Sequence, residues 1–253
     1  MSLFKMVKQL VSYLIVFSLM GLSCACSGAK LLKSGGLSCE EKRLIVDAHN
    51  RLRQRVALGK VPGQSPAENM LEMSWDDELA RGAQKWADQC IFQHNSQNDR
   101  RVSRFLVGQN LAMTWSSPHP NSLGDKPDFE TQINNWFNEV RYYRGYYSTQ
   151  VGHYTQPNGL YEGVMVKLEE LIWGDTYLVG CGYSYFLKGN QYTKYYVCNY
   201  GPAGNVRGFP PYKSGSPACA QHGTTPSRTY PGLCRNQKYL SQPCSNYFYY
   251  YYY

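Results

Sequence analysis

Nine cysteines carry most of the readable chemistry in this 253-residue chain. No Cys-x-x-Cys pair occurs among them, so neither a zinc ribbon nor a dithiol redox motif is on offer. Cysteines scattered at wide spacing belong in disulfides in an oxidising compartment, and bridged cysteines leave no thiol for nucleophilic catalysis. No Ser/His/Asp ordering, glycine-rich phosphate loop or nucleic-acid-binding module is present. His49 follows the apolar stripe of a helix and has no matched acid, so it reads as a structural histidine.

The export signal agrees with that chemistry. Lys5 and Lys8 precede an almost wholly apolar run from Leu10 to Leu22, followed by small residues. This is the pattern of a signal peptide, and it is too short for a transmembrane helix. No other stretch is long and apolar enough to span a bilayer, so the mature chain is expected to be secreted and extracellular. Cleavage after Ala25 or after Ala29 satisfies the small-residue rule equally. A cut after Ala25 leaves eight cysteines, an even number, whereas the later cut leaves seven, so residues 1–25 are assigned to the signal peptide. No Asn-x-Ser/Thr sequon occurs.

Removing Lys5 and Lys8 with that segment lowers the formal charge from +8 to +6. Most of the excess sits at the other end. Residues 206–253 hold Arg207, Lys213, Arg228, Arg235 and Lys238 with no acid, together with Cys219, Cys234, Cys244 and a terminal tyrosine run. This stretch reads as a basic Cys/Pro/Tyr-rich extension pinned by disulfides. Its charge would attract anionic surfaces, and no function is assigned to its tyrosine tip.

Three helices are expected before it. Ser38 and Glu41 form a capping box, with Leu44, Ala48, Leu52 and Val56 as the buried stripe, and Gly59 and Pro62 end the pattern. A second helix begins near Ser74, presents Trp75, Leu79, Ala83, Trp86, Ala87 and Cys90 on one face, and ends close to His94. A third, with Ile133, Trp136, Phe137 and Val140 on its buried side, follows Asp128 and ends by Gly145. Leu106 to Thr114 reads as a strand. Tyr177–Phe186 and Tyr192–Val197 read as two strands around Lys188-Gly189-Asn190-Gln191. With Gly189-Asn190 as a two-residue turn, Cys181 falls opposite Cys198 at a non-hydrogen-bonded pair, close enough for a disulfide. Helices first and an antiparallel meander later define an α+β domain.

Ala48-His49-Asn50-Arg51, Gly108-Gln109-Asn110-Leu111, Gly152-His153-Tyr154-Thr155-Gln156, Val179-Gly180-Cys181-Gly182 and Cys198-Asn199-Tyr200-Gly201-Pro202-Ala203-Gly204-Asn205 occur in one order across residues 38–205. Together they resemble the CAP superfamily of cysteine-rich secretory proteins, antigen-5 allergens and plant pathogenesis-related proteins. Val61-Pro62-Gly63-Gln64 and Trp86-Ala87-Asp88-Gln89-Cys90 make the chain most similar to the arthropod venom-allergen branch. The resemblance implies a three-layer α-β-α sandwich over residues 38–205. Pro211-Tyr212-Lys213-Ser214-Gly215 and Gly232-Leu233-Cys234-Arg235-Asn236 are similar to the hinge of cysteine-rich secretory proteins. That hinge's dense cysteines and channel-blocking module are missing here.

The same resemblance implies a cleft with two histidines and two acids. Matched position by position, these are His94, His153, Glu139 and, in place of the second acid, Gln109. Two imidazoles with water and a nearby carboxylate could hold Zn²⁺ or Cu²⁺, although no cofactor is required for the fold. Gln109 cannot accept a proton, which weakens a hydrolytic reading and leaves Glu139 as the remaining base. A further departure is the stretch 157–170, inserted before Leu171-Ile172-Trp173. For the disulfides, Cys39 and Cys90 lie at the ends of adjacent helices and are one candidate pair, while the tail cysteines could pair in several ways.

The expected function is that of a secreted venom- or saliva-type protein that binds an extracellular protein or lipid target without turnover. The alternatives are metal-dependent hydrolysis or redox chemistry at the histidines, and sterol or lipid carriage. No nucleic-acid partner is expected.

Overall fold

The computed structural model of the protein describes residues 26–116, 123–142, 171–204, 208–236 and Cys244; His153 and the insertion at 157–170 lie outside the described residues.

Helix α1 (Cys39–Ala57) starts as the capping box requires. The Ser38 hydroxyl accepts from the Glu41 N–H at 3.1 Å, and the Glu41 carboxylate accepts from the Ser38 N–H at 2.6 Å. Its buried stripe begins at Ile45, while Leu44 is 41 % exposed. Steps of four residues drift about 40° each around a helix, so a stripe counted back from Val56 in fours leaves the buried face by Leu44.

Helix α2 (Asp77–Ala87) is capped by Asp76, whose side chain accepts from the Leu79 N–H. It begins later than expected, because Ser74–Trp75 instead forms the short strand β2, parallel to Leu178–Val179. It also ends earlier, at Ala87 rather than near His94. Cys90, in the left-handed region at φ 56°, turns the chain away. A single turn, α3 (Gln97–Arg100), follows, and then strand β3 (Gly108–Ser116). Helix α4 (Phe129–Asn138) runs into a 3₁₀ turn at Glu139–Tyr142.

The expected hairpin is β4 (Leu178–Lys188) with β5 (Gln191–Gly201); β4 starts one residue later and runs two residues further than expected, and β5 is longer at both ends. Cys181 pairs with Cys198 in the ladder, and a disulfide joins them. Sequence patterning gave no sign of strand β1 (Lys30–Ser34), which adds to the edge of β4. The sheet order is β1-β4-β5-β3, with β2 beside the start of β4.

The fold is the three-layer α-β-α sandwich. On one face, Ile45, Leu52 and Val56 of α1 and Ile133, Trp136 and Phe137 of α4 share a core with Tyr183, Tyr196 and Tyr200 of the sheet. On the other, Ala83 and Ala87 of α2 pack on Leu111, Phe186, Tyr195 and Val197. Gly180 and Gly182 make this second contact close: a Cβ on Gly180 would lie 2.2 Å from the Ala80 nitrogen, and one on Gly182 2.4 Å from Gln84 Cα. No other residue type fits there, since overpacking displaces backbone.

The eight cysteines from Cys26 onward form four bridges. Besides Cys181–Cys198 these are Cys26–Cys90, Cys39–Cys244 and Cys219–Cys234. The candidate pair Cys39 with Cys90 is therefore replaced. Residues preceding α1 bring Cys26 to Cys90, and Cys39 at the start of α1 holds the C-terminal extension through Cys244. The extension is more than pinned. Its residues 211–218 and 233–235 run along segment 66–72 through backbone bonds such as Glu68 N–H to Lys213 O and Cys234 N–H to Met70 O, and Tyr212 and Leu233 enter the main core. No helix among the described residues is long and apolar enough to cross a membrane.

Candidate functional site

His94 lies in the loop after α2, behind the turn that Cys90 makes, and Gln109 is the second residue of β3. The structure brings them together: His94 Nδ1 is 2.9 Å from Gln109 Oε1. The Gln109 side chain is buried, and its amide nitrogen donates to Asn95 Oδ1 at 3.1 Å and to Asn199 Oδ1 at 3.0 Å. With the nitrogen spent on two acceptors, the Gln109 oxygen must be an acceptor, so Nδ1 of His94 carries the proton. The lone pair of the neutral ring then lies on Nε2, the form in which a histidine binds a metal.

Asn95 and Asn199 are parts of this site that the sequence reading missed. Asn199 sits opposite Gln109 in the β3–β5 register and opposite Gly180 in the β4–β5 register, and it reaches α2 through a bond to Leu79 O at 3.3 Å. A β3–β5 register would have exposed it, but nothing local in the sequence sets that register.

Glu139 stands where α4 passes into the 3₁₀ turn, half-buried. Its helix is held at both ends. Trp136 Nε1 donates to Leu111 O on β3 at 3.1 Å. At the N-terminal end, Lys194 Nζ donates to Leu123 O and Lys126 O, the Tyr183 hydroxyl donates to Asp125 O, and the Tyr196 hydroxyl accepts from the Asp128 N–H. Burial pushes the Lys194 ammonium below its ordinary pKa. These bonds seat Glu139 one helical turn beyond the contact with β3. The fourth matched residue, His153, lies outside the described residues, and among the described residues no cluster of three or more His, Cys, Asp or Glu side chains assembles. The donor set seen is one oriented imidazole with an amide behind it, which fits a partial metal shell and supplies no base at Gln109.

A second polar group is buried on α1. Nδ1 of His49 lies 2.7 Å from Ile45 O and Nε2 lies 2.9 Å from the Tyr200 hydroxyl, which also accepts from Asn110. Burial pushes this histidine's pKa down to about 4, against a smaller opposing effect of the Ile45 carbonyl. Asn50 grips the backbone of Met73 through both N–H and C=O. Arg53 is fully buried, and its five N–H donors go to the carbonyls of Leu71, Leu171, Trp173, Gly174 and Thr176. Burial lowers its pKa to about 9, partly offset by Asp175. These side chains hold backbone and have no geometry for turnover.

This fold, with its Gly-Cys-Gly strand beneath α2 and its histidine-amide corner, is that of a known family. The chain matches the cysteine-rich secretory protein (CAP) family over residues 46–200. It belongs to that family, and within it to the antigen-5-like proteins. Salivary antigen-5 of Dipetalogaster maximus is 32 % identical over 90 % of this chain and 88 % of its own length. Venom allergen 5 of Polistes dominula is 41 % identical over 74 % of this chain and 78 % of its own. A cysteine-rich venom protein of Tityus serrulatus is 36 % identical over 84 % of this chain, which spans only 50 % of that longer protein. Among solved structures, BmVAL-1 superposes with a TM-score of 0.61 at 26 % identity, covering 83 % of this chain and 98 % of that one. NaASP2 with Zn²⁺ superposes at 0.57 and 28 % identity, covering 79 % and 97 %.

Proposed function

We propose that the protein is exported with loss of residues 1–25 and acts as a venom- or saliva-type CAP protein, binding an extracellular target without turning it over. The observation that carries this reading is the full commitment of Gln109. Its oxygen holds His94 and its nitrogen holds Asn95 and Asn199, and an amide at this position cannot serve as a base. Venom and salivary relatives of similar length support the setting, and the even set of bridges from Cys26 onward supports the cleavage point.

A metal at the same corner is the second reading, favoured by the orientation of His94 and by the zinc in NaASP2. His94 and His153 would ligate it, with Gln109 fixing the His94 ring, and the metal would supply Lewis acidity and a nucleophilic water. Both readings are tested on purified secreted protein by zinc titration calorimetry alongside ester and peptide hydrolysis assays. The binding reading expects no turnover with or without zinc. Zinc-dependent turnover that disappears in His94→Ala would overturn it, and zinc binding abolished in the His94→Ala/His153→Ala variant without turnover would establish a metal that serves binding alone.

A further inference from the structure

Val61-Pro62-Gly63-Gln64 closes a turn just after α1. The Gln64 N–H donates to Val61 O at 3.0 Å, and Gly63 takes φ 77°, the left-handed value that the third position of a type II turn requires. Proline before it presets its own φ, and glycine meets the positive φ at no steric cost. The turn fixes where the Gln64 side chain starts. Its amide then joins two segments distant in sequence: Nε2 donates to Val140 O at 3.4 Å, and Oε1 accepts from the Tyr212 hydroxyl at 3.2 Å.

Tyr212 belongs to the extension and is itself held firmly. The Gly174 N–H donates to Pro211 O at 2.6 Å and the Lys213 N–H donates to Asn69 Oδ1 at 2.9 Å, so the backbone on both sides of Tyr212 is fixed. Its ring is buried in the main core. The hydroxyl also lies 3.1 Å from Ser65 O and shares its one proton between that carbonyl and Gln64. Val140, buried in the same core, is the residue after Glu139 in the 3₁₀ turn that ends α4. Bonds therefore run from the extension, through one amide, to the backbone that carries Glu139.

We infer that Tyr212 and Gln64 are positioning residues for Glu139, so that the C-terminal extension sets where this carboxylate stands. The inference rests on the reading that places Glu139 beside the histidines. Trp136 anchors α4 to β3 one turn earlier, and the Gln64 bond acts beyond that anchor, on the turn itself. A 3₁₀ turn has poorer internal hydrogen-bond geometry than an α-helix, so an outside donor to one of its carbonyls counts for more. Glutamine suits the relay because one planar amide offers a donor and an acceptor at fixed spacing, which neither an ionised glutamate nor leucine does. Residues that orient a ligand from behind change metal affinity without touching the metal.

The test uses the purified secreted chain and two readouts. In hydrogen exchange, Tyr212→Phe and Gln64→Leu, with unchanged circular dichroism, are expected to speed amide exchange in the turn Glu139–Tyr142 about fivefold, the worth of one hydrogen bond. Tyr230→Phe, which removes the extension's hydroxyl bond to Asp47 on α1, is expected to leave that exchange unchanged. In zinc titration calorimetry, Glu139→Gln is expected to weaken binding about tenfold. Tyr212→Phe is expected to weaken it about threefold in the wild type and not at all in the Glu139→Gln background. A merely structural loss would act equally in both backgrounds. Exchange unchanged in Tyr212→Phe, or raised as much by Tyr230→Phe, overturns the inference. So does zinc binding that responds to Glu139→Gln and not to Tyr212→Phe, or an equal loss in both backgrounds. Zinc binding that is absent, or indifferent to Glu139→Gln, removes Glu139 from the site instead, and exchange alone then decides whether the extension braces its turn.

Discussion

His49 and His94 are the same side chain put to opposite uses. His49 is sealed beneath α1 with both ring nitrogens engaged, and burial holds it neutral far below the ordinary histidine range. His94 is half-buried in a loop, and the amide that orients it leaves the other nitrogen as the lone-pair side. A histidine locked from both sides can only hold structure. One turned through Nδ1 by a side-chain amide, in a loop braced by a neighbouring bridge at Cys90, is set by its loop and not by the core.

Breaking the splint around His49 should have the largest effect. Arg53→Met leaves the carbonyls of Leu71, Leu171 and Thr176 without their guanidinium donors, whereas Gly174 O keeps Leu71 N–H and Trp173 O keeps Thr176 N–H. Burying three unpaired acceptors is expected to cost about 4 kcal/mol, read as a lowered urea midpoint with unchanged slope. A loss under about 1 kcal/mol would show that the segment after residue 170 holds itself in place without Arg53.

The pH dependence of His49 should come next. The unfolded chain protonates this histidine near 6.5, while the folded one resists to about 4. Stability from this group is therefore complete above pH 6.5 and is lost as pH falls toward 4, by about 3 kcal/mol in all. Urea melts across this range should show that limb in the wild type and not in His49→Gln. Equal slopes in both proteins would place the proton uptake elsewhere.

The smallest effect on stability belongs to the His94 corner. Gln109→Glu gives up the two amide bonds to Asn95 and Asn199 at a cost of about 1 kcal/mol. It also places a charge behind the imidazole, which should tighten zinc binding about tenfold, measured by calorimetry against the wild type. Unchanged or weaker affinity would mean that His94 is not a ligand.

Part of this contrast was legible in the residues themselves. The capping box of α1, the two-residue turn of the hairpin and the opposition of Cys181 and Cys198 all depend on neighbours in sequence or on counting outward from one turn. The family motifs brought His94 and Gln109 to attention, although local pattern contained no hint of Asn95 or Asn199 behind them. Arg53 looked like any helix arginine, since its five acceptors lie 18 to 123 residues away. Strand β1 carries only two apolar residues in five and exists because β4 offers it an edge. Cys39 found Cys244 for a similar reason: the extension's path along segment 66–72 carries its end back to α1.

The amino-acid order alone determined where α1 starts, where the hairpin turns and that the cysteines belong in bridges, because caps, turns and side-chain alternation act over a few residues. Only the tertiary structure decided which cysteines meet, which histidine is sealed in the core and which is set in a loop against Gln109. Those outcomes depend on burial and on hydrogen bonds between distant segments, and neither exists until the layers have packed.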